Sequence, residues 1–398
     1  MLRKRSGAPA VRTGIYVVVV LTAGAYLPSP LYPGYQGAIG FSDLTMTVIY
    51  ATFALVSAPA LLLCGSASDA LGPRTVLRAA VVAAAVGTAC FAVASGTMWL
   101  VVGRAAQGIA LGAATGAASA LIGQHAGGSK GGGGTVPAST AFVAGTAIGP
   151  IAGGLLAQYA PAPLVLPFVL HLVLLWFGWR AVSALPAPSA PRARRWIPTR
   201  PRVPAGARPL FATAALTGFL AWAVAGLFLS VIPALLDRAA HTNLAVTGGV
   251  LGAVLVCSVL AQPVVPRVGP RYAQLAGLAA LSGSVVVLAL SLGGRPSLTL
   301  LAAVIAGAGH GLAYGGAVAA MERGTPPDRR GAVTGALYLA FYLGAGCPAI
   351  AIGLITLGHS LMTATLCVTA AVAVLVPLNA AAVVSVRPAE RPCPRRSG

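Results

Sequence analysis

The sequence predicts an all-α integral membrane protein whose twelve transmembrane helices form two pseudo-symmetric six-helix bundles. Three observations predict it. Hydrophobic residues fill 57% of the 398 positions and charged residues only 8%, against roughly 25% charged in a soluble domain; a compact chain could not hide that much apolar surface from water. Twelve apolar runs are each long enough to cross the ~30 Å hydrocarbon core of a bilayer. All but three of the 26 Lys and Arg fall in alternate connections and the two tails, the positive-inside pattern of a multi-pass protein. The exceptions are Arg104, inside a run, and Arg238 and Arg295, on the opposite side. A net charge of +20 would suggest nucleic acid in a soluble protein. Here it reports topology, and no nucleic-acid partner is expected.

The first six runs cover roughly 13–33, 44–66, 75–95, 98–123, 137–159 and 163–183. The first follows Arg3, Lys4, Arg5 and Arg12 and continues past about twenty residues without a convincing cleavage site, so it is read as a retained helix and not a signal peptide. Next comes "LPAPSAPRARRWIPTRPRVPAGARP" (Leu185–Pro209), with six arginines and too many prolines to span a membrane. Six further runs follow at roughly 209–232, 244–264, 272–292, 297–320, 332–357 and 360–385. The expected organisation is an N-terminal bundle over 1–184, a cytoplasmic linker over 185–208, a C-terminal bundle over 209–385 and a basic tail over 386–398. An even number of runs puts both basic termini in the cytoplasm. Arg in excess of Lys, with abundant Ala, Gly and Pro, suits a GC-rich bacterial genome and hence the bacterial inner membrane.

Between the second and third runs stands "GSASDALGPR", with Gly65, Asp69, Gly72 and Arg74. A carboxylate at a helix junction is stabilised by helix N-termini and basic partners and can latch adjacent helices; a simple turn with a solvated ion pair is the plainer reading. The matching place in the second half holds "QPVVPRVGPR", where Gly269, Pro270 and Arg271 repeat Gly72, Pro73 and Arg74 while Pro266 replaces the aspartate. That correspondence predicts an internal duplication.

The fourth run, "WLVVGRAAQGIALGAATGAASALIG", holds one charged side chain. Arg104, Gln107, Gly108, Leu111, Gly112 and Thr115 share a helical stripe by the i, i+3, i+4 rule. A translocon charges about 2.5–3.5 kcal/mol for an arginine at a helix centre, so this stripe is expected to face protein or a solvated pathway. The alternative is a structural arginine that snorkels or caps carbonyls. The tenth run offers "AGAGHGLAYGGA", with His310-Gly311 in place of Gln107-Gly108. A histidine inside a span is either a proton-titrating group or a hydrogen-bonding link between helices. The fifth run carries "GTAIGPIAGG", with Gly145, Gly149, Pro150, Gly153 and Gly154, whose small residues permit close helix packing and whose proline bends the helix.

Other patterns are set aside. "GQHAGGSK" lacks the spacing of a phosphate-binding loop and follows no strand. Cys64, Cys90, Cys257, Cys347, Cys367 and Cys393 form no CxxC pair, so neither a disulfide framework nor a metal site is expected. The six acidic residues are Asp43, Asp69, Asp237, Glu322, Asp328 and Glu390, and none lies at the middle of a run. His125, His171, His241, His310 and His359 are scattered, with no HExxH or paired acids, which argues against a membrane enzyme. No cofactor is expected.

Together, "GSASDALGPR", "RAAQG" and "GTAIGPIAGG" resemble the signatures of the major facilitator superfamily across essentially the whole chain. The resemblance implies two bundles rocking about a central site, with Asp69 latching the outward-facing state and Arg104 taking part in proton coupling. The third motif is the one associated with antiporters in that family. Here the first run lacks the cavity acid of many proton-coupled exporters, which leaves His310, Asp69 or the substrate's own charge to carry the proton step. The expected function is secondary transport, by proton-coupled export of a small organic molecule or by uptake symport. Tyr26, Gln107, His310 and Tyr314 are candidate cavity residues, in a monomer whose partners are its substrate, protons and the bilayer. A positive centre without a buried carboxylate disfavours cations and tolerates neutral or anionic substrates.

Overall fold

The computed structural model describes residues 7–64, 67–125, 135–186, 203–239, 243–291, 295–325 and 330–386. Residues 126–134, which include the latter part of "GQHAGGSK" (Gly123–Lys130), and most of the Pro/Arg-rich linker, 187–202, lie outside them. Among the described residues there are sixteen α-helices and no strand. The first set comprises α1 (Gly7–Tyr26), α2 (Tyr32–Ile39), α3 (Asp43–Cys64), α4 (Ala67–Leu71), α5 (Pro73–Ala92), α6 (Thr97–His125), α7 (Thr135–Tyr159) and α8 (Leu166–Ser183). The second comprises α9 (Arg208–Ser230), α10 (Ile232–Arg238), α11 (Leu244–Ala261), α12 (Val265–Val268), α13 (Pro270–Ser291), α14 (Pro296–Gly324), α15 (Arg330–Ile355) and α16 (Leu361–Ser385). Among the described residues, twelve spans are long and apolar enough to cross a membrane.

The first and seventh spans differ from the simple runs, and proline is the reason. Pro28, Pro30 and Pro33 remove backbone donors, so α1 stops at Tyr26 and a short 3₁₀ turn over Ser29–Leu31 leads into α2. The second helix then ends at Gly40, whose φ of 80° caps it in the left-handed conformation. In the second half Pro233 follows the break at Val231 that separates α9 from α10. Each first span is therefore long and jointed near the face opposite the termini, called the distal face below.

The two sets pack by the same plan. In the first, α6 lies on α3 and α5, α7 on α1, and α8 on α5. In the second, α14 lies on α11 and α13, α15 on α9, and α16 on α13. Local geometry repeats as well. Gly72 and Gly269 have φ, ψ of 82°, 147° and 86°, 156°, a region open essentially to glycine alone. The arginine two residues on crosses to the last helix of its own set: Arg74 donates to the Ser183 carbonyl at 2.6 Å, and Arg271 to that of Val384. Helices α7 and α15 each carry an internal proline, Pro150 and Pro348. The Gly-Pro-Arg correspondence in the sequence is a correspondence of conformation.

The halves meet where α7 packs on α11 and α3 on α15. The tightest backbone approaches are towards the distal face. A Cβ on Gly154 would strike the Leu244 carbonyl, one on Gly248 the Pro150 carbonyl, and one on Gly353 the Thr47 hydroxyl. Lipid offers helices no hydrophobic drive to associate, so close packing of small residues carries the contact.

Substitution separates backbone strain from crowding. Gly269→Ala adds a methyl that meets nothing within 4 Å, yet its φ costs about 1–3 kcal/mol; the midpoint of thermal unfolding in detergent is expected to fall. Gly283→Ala, in equally open space inside α13, is expected not to lower it. Equal midpoints for the two variants would contradict the strain argument.

Candidate functional site

Arg104 is wholly buried, at 0% exposure, and faces protein. Its Nη1 donates to the Ala25 carbonyl and, at 3.0 Å, to Oε1 of Gln107. Gln107 in turn donates from Nε2 to the Gly24 carbonyl at 3.2 Å. The proline break explains why that carbonyl is available: four residues on from Gly24 stands Pro28, which has no N–H to give it. The guanidinium carbon sits 4.7 Å from the centre of the Phe53 ring and 5.7 Å from that of Tyr50, contacts worth up to about 2 kcal/mol each when desolvated. So the arginine does cap a carbonyl, as a structural residue would, but Nε and Nη2 have no partner among the described residues. Gly108 lets α6 approach the backbone of α3 at Phe53 and Ser57.

The other half offers rings where this half offers charge. His310 Nδ1 lies 2.8 Å from the Ser258 hydroxyl. Its ring stacks on Tyr314, with centroids 5.6 Å apart, and takes the edge of Trp222 at 4.8 Å. The Tyr314 and Tyr338 hydroxyls are 2.9 Å apart. Trp222 reaches across to Phe142 of α7 at 6.4 Å, and Tyr26 sets its ring against Phe53 at 5.6 Å. Tyr342 stands between the groups, within electrostatic reach of both Tyr26 and Tyr314. The structure therefore brings Tyr26, Arg104, Gln107, His310 and Tyr314 to the centre of the molecule.

The other predicted residues lie elsewhere. Gly65 is outside the described residues, and Asp69 is described only as part of the short helix α4. Gly72 and Arg74 hold the α4–α5 turn and its tie to α8. In α7, Gly145 and Gly149 pack on α1 at Val19 and Ala23, Gly153 packs on Leu27 just beyond it, and Gly154 packs on α11 of the other half. Pro150 serves that second contact through its carbonyl against Gly248. One motif thus joins both a neighbouring helix and the opposite half.

Several partners were not foreseen in the sequence. Arg238 forms an ion pair with Asp43 at 2.5 Å across the halves at the distal face, and Gln36 donates to the same carboxylate at 3.0 Å. The available signal was that Arg238 is one of two basic residues on that side. Gln158 of α7 accepts from the Leu244 N–H at 2.8 Å, capping α11 from the other half. His171 ties three helices, with Nδ1 2.9 Å from the Thr88 hydroxyl and Nε2 3.0 Å from the Val20 carbonyl. Among the described residues no three His, Cys, Asp or Glu side chains converge as metal ligands would.

The family model described as Major Facilitator Superfamily matches residues 15–347. The chain belongs to the major facilitator superfamily. Its fold is also that of a solved bacterial homologue of the human lysosomal transporter Spinster, in an inward-facing and occupied conformation, with a TM-score of 0.69 at 14% identity over 94% of this chain and 95% of that one. No curated protein matches the sequence. Membership of the superfamily makes this a multi-pass membrane transporter that works by alternating access, so the contacts between the halves are those that must be made and broken.

The distal contacts can be ranked by what they expose. Arg238 is 46% exposed in its pair with Asp43, so the bridge is worth about 0–1 kcal/mol. With a Leu44→Cys reporter in a background free of other cysteines, Arg238→Ala is expected to raise the thiol-labelling rate by no more than about fivefold. Gly248→Val, which forces a side chain into the Pro150 carbonyl, is expected to raise it further. The reverse ranking would place the closure in the ion pair instead of the helix seam.

Proposed function

We propose that this superfamily member is a proton-coupled antiporter that exports a small organic molecule from the cytoplasm, the side on which both termini lie. The observation that carries the reading is Arg104: a permanent charge at the dry centre, held on one edge and unpartnered on the other. Such a group interacts differently with its surroundings whenever a negative charge or a proton arrives or leaves nearby, because the local dielectric is low. The lean towards export comes from the resemblance of "GTAIGPIAGG" to the antiporter motif; its packing against α1 on one side and α11 on the other suits either direction. His310, with Nδ1 on Ser258 and Nε2 unpartnered, is the central group that could take up a proton. Asp69 and Arg74 are assigned to a latch between α3 and α5, and Tyr26 and Tyr314 to the substrate walls.

A second reading, uptake by symport, is favoured by one feature of the same centre. An anion beside Arg104 would make protonation of His310 more favourable, so anion and proton would travel together.

Everted membrane vesicles with an imposed acid-inside gradient test these readings, using wild type and Arg104→Ala against neutral, anionic and cationic compounds. Antiport predicts that a transported compound collapses the gradient in wild type, with the rate down at least about tenfold in Arg104→Ala. Labelled compound that crosses without moving protons would remove proton coupling. Proton efflux accompanied by substrate efflux from the same vesicles would establish symport.

A further inference from the structure

The centre restricts what can be carried. Among the described residues, five side-chain polar atoms there are buried without a hydrogen-bond partner: Nε and Nη2 of Arg104, Nε1 of Trp222, Nε2 of His310 and the Tyr342 hydroxyl, which lies beside Thr115 without closing a bond of ordinary geometry. The four residues are 0%, 5%, 0% and 6% exposed. The guanidinium and indole atoms can only donate; the imidazole nitrogen and the hydroxyl can donate or accept. None can only accept. The one unpartnered buried atom among the described residues that is restricted to accepting, Asn379 Oδ1, belongs to a separate network with Thr217 and Gln274. Buried donors left unmade are costly, and here they gather in one place.

The geometry of Arg104 is more specific still. Nη1 is spent on Ala25 and Gln107, and what remains is the Nε–Nη2 edge, the side-on pair that receives both oxygens of a carboxylate. The surrounding surface is aromatic: Phe53 beneath the guanidinium, and Trp222 and Tyr314 about His310.

We propose that the substrate is an organic anion with a flat apolar body. Its carboxylate, or an anionic group of like shape, takes the free edge of Arg104. Its body lies between Phe53 and the Trp222–Tyr314 walls, where the indole N–H and the imidazole donate to any further acceptor it carries. The proposal rests on the transporter reading but concerns the ligand alone, and it holds for either direction of transport.

The test is equilibrium binding of labelled 2-naphthoate to the purified full-length chain in detergent, with unlabelled 2-naphthamide and 2-naphthylmethylamine as competitors. All three share one ring system and differ in charge. Saturable naphthoate binding is expected, with the amide and the amine each competing at least tenfold less well than naphthoate itself. Arg104→Lys keeps the charge but loses the fork, and binding should weaken at least tenfold. Trp222→Phe keeps the ring and loses only the N–H, so a loss of a fewfold is expected in a variant that folds even if the arginine variant does not. Absent naphthoate binding, equal competition by the amide or amine, or unchanged binding in both variants would overturn the proposal. Counterflow of labelled 2-naphthoate in proteoliposomes reads the transport reading separately. Binding without counterflow of any of the three compounds would sink transport and leave the anion site. Counterflow of the amide or amine in place of naphthoate would do the opposite.

Discussion

Everything at the centre of this protein depends on how one guanidinium is kept in a dry place. Arg104 cannot reach water at 0% exposure, and it has no carboxylate among its observed bonding partners. Its charge is met by a backbone carbonyl, a glutamine oxygen and two ring faces. The end of α1 supplies the carbonyls: Ala25 accepts from the guanidinium, and Gly24, to which Pro28 has no N–H to give, accepts from Gln107. The joint in the first span and the charge in the fourth are two parts of one arrangement. Pro28 touches that arrangement through Gln107, whose Nε2 donates to the Gly24 carbonyl while its Oε1 accepts from Arg104.

The two halves share a scaffold and differ in what they put on it. The paired glycines with φ near 85°, the two arginine ties to a terminal helix, and the common packing plan are repeated. The residues facing the centre are not. Gln107 and His310 stand at equivalent places in "GRAAQG" and "AGAGHG", and the position matching Arg104 is Gly307, which packs on the Val254 carbonyl. One half presents a fixed charge, the other a stacked His–Tyr pair with Trp222 set edge-on to it. Symmetric frames suit two bundles that rock against each other, and the asymmetric centre suits the ligand we propose, with one charged end and one flat end.

Much of the frame was legible in the sequence because it rests on local rules. Apolar run length fixed the number of spans, and the Gly-Pro-Arg triplets located the turns that the structure shows to be equivalent. The Arg104–Gln107 bond was legible too, since residues three apart on a helix share a face. What the sequence hid depends on contacts between distant segments. Asp43 and Arg238 are 195 positions apart, and no local pattern joins them. Trp222 and Tyr342 look like ordinary aromatic residues in greasy helices until α9 and α15 bring them beside His310 and Tyr26. The break after Tyr26 was written in three prolines, but its use as a source of carbonyls for α6 required knowing which helix lies alongside.

The glycine seam at the distal face has a thermodynamic consequence. Where Gly154 meets Gly248, backbone rests on backbone, and glycine has no side-chain rotamers to freeze when the surfaces meet. Closing that one contact therefore freezes almost no side-chain order of its own, and the side-chain share of the distal closure lies with Gln158 and the Arg238–Asp43 pair. A gate built from long side chains would trade a large enthalpy against a large entropy, and its balance would drift with temperature. One built from bare backbone keeps both quantities small. The two orientations of the carrier can then stay within the few kcal/mol over which a bound ligand shifts a population.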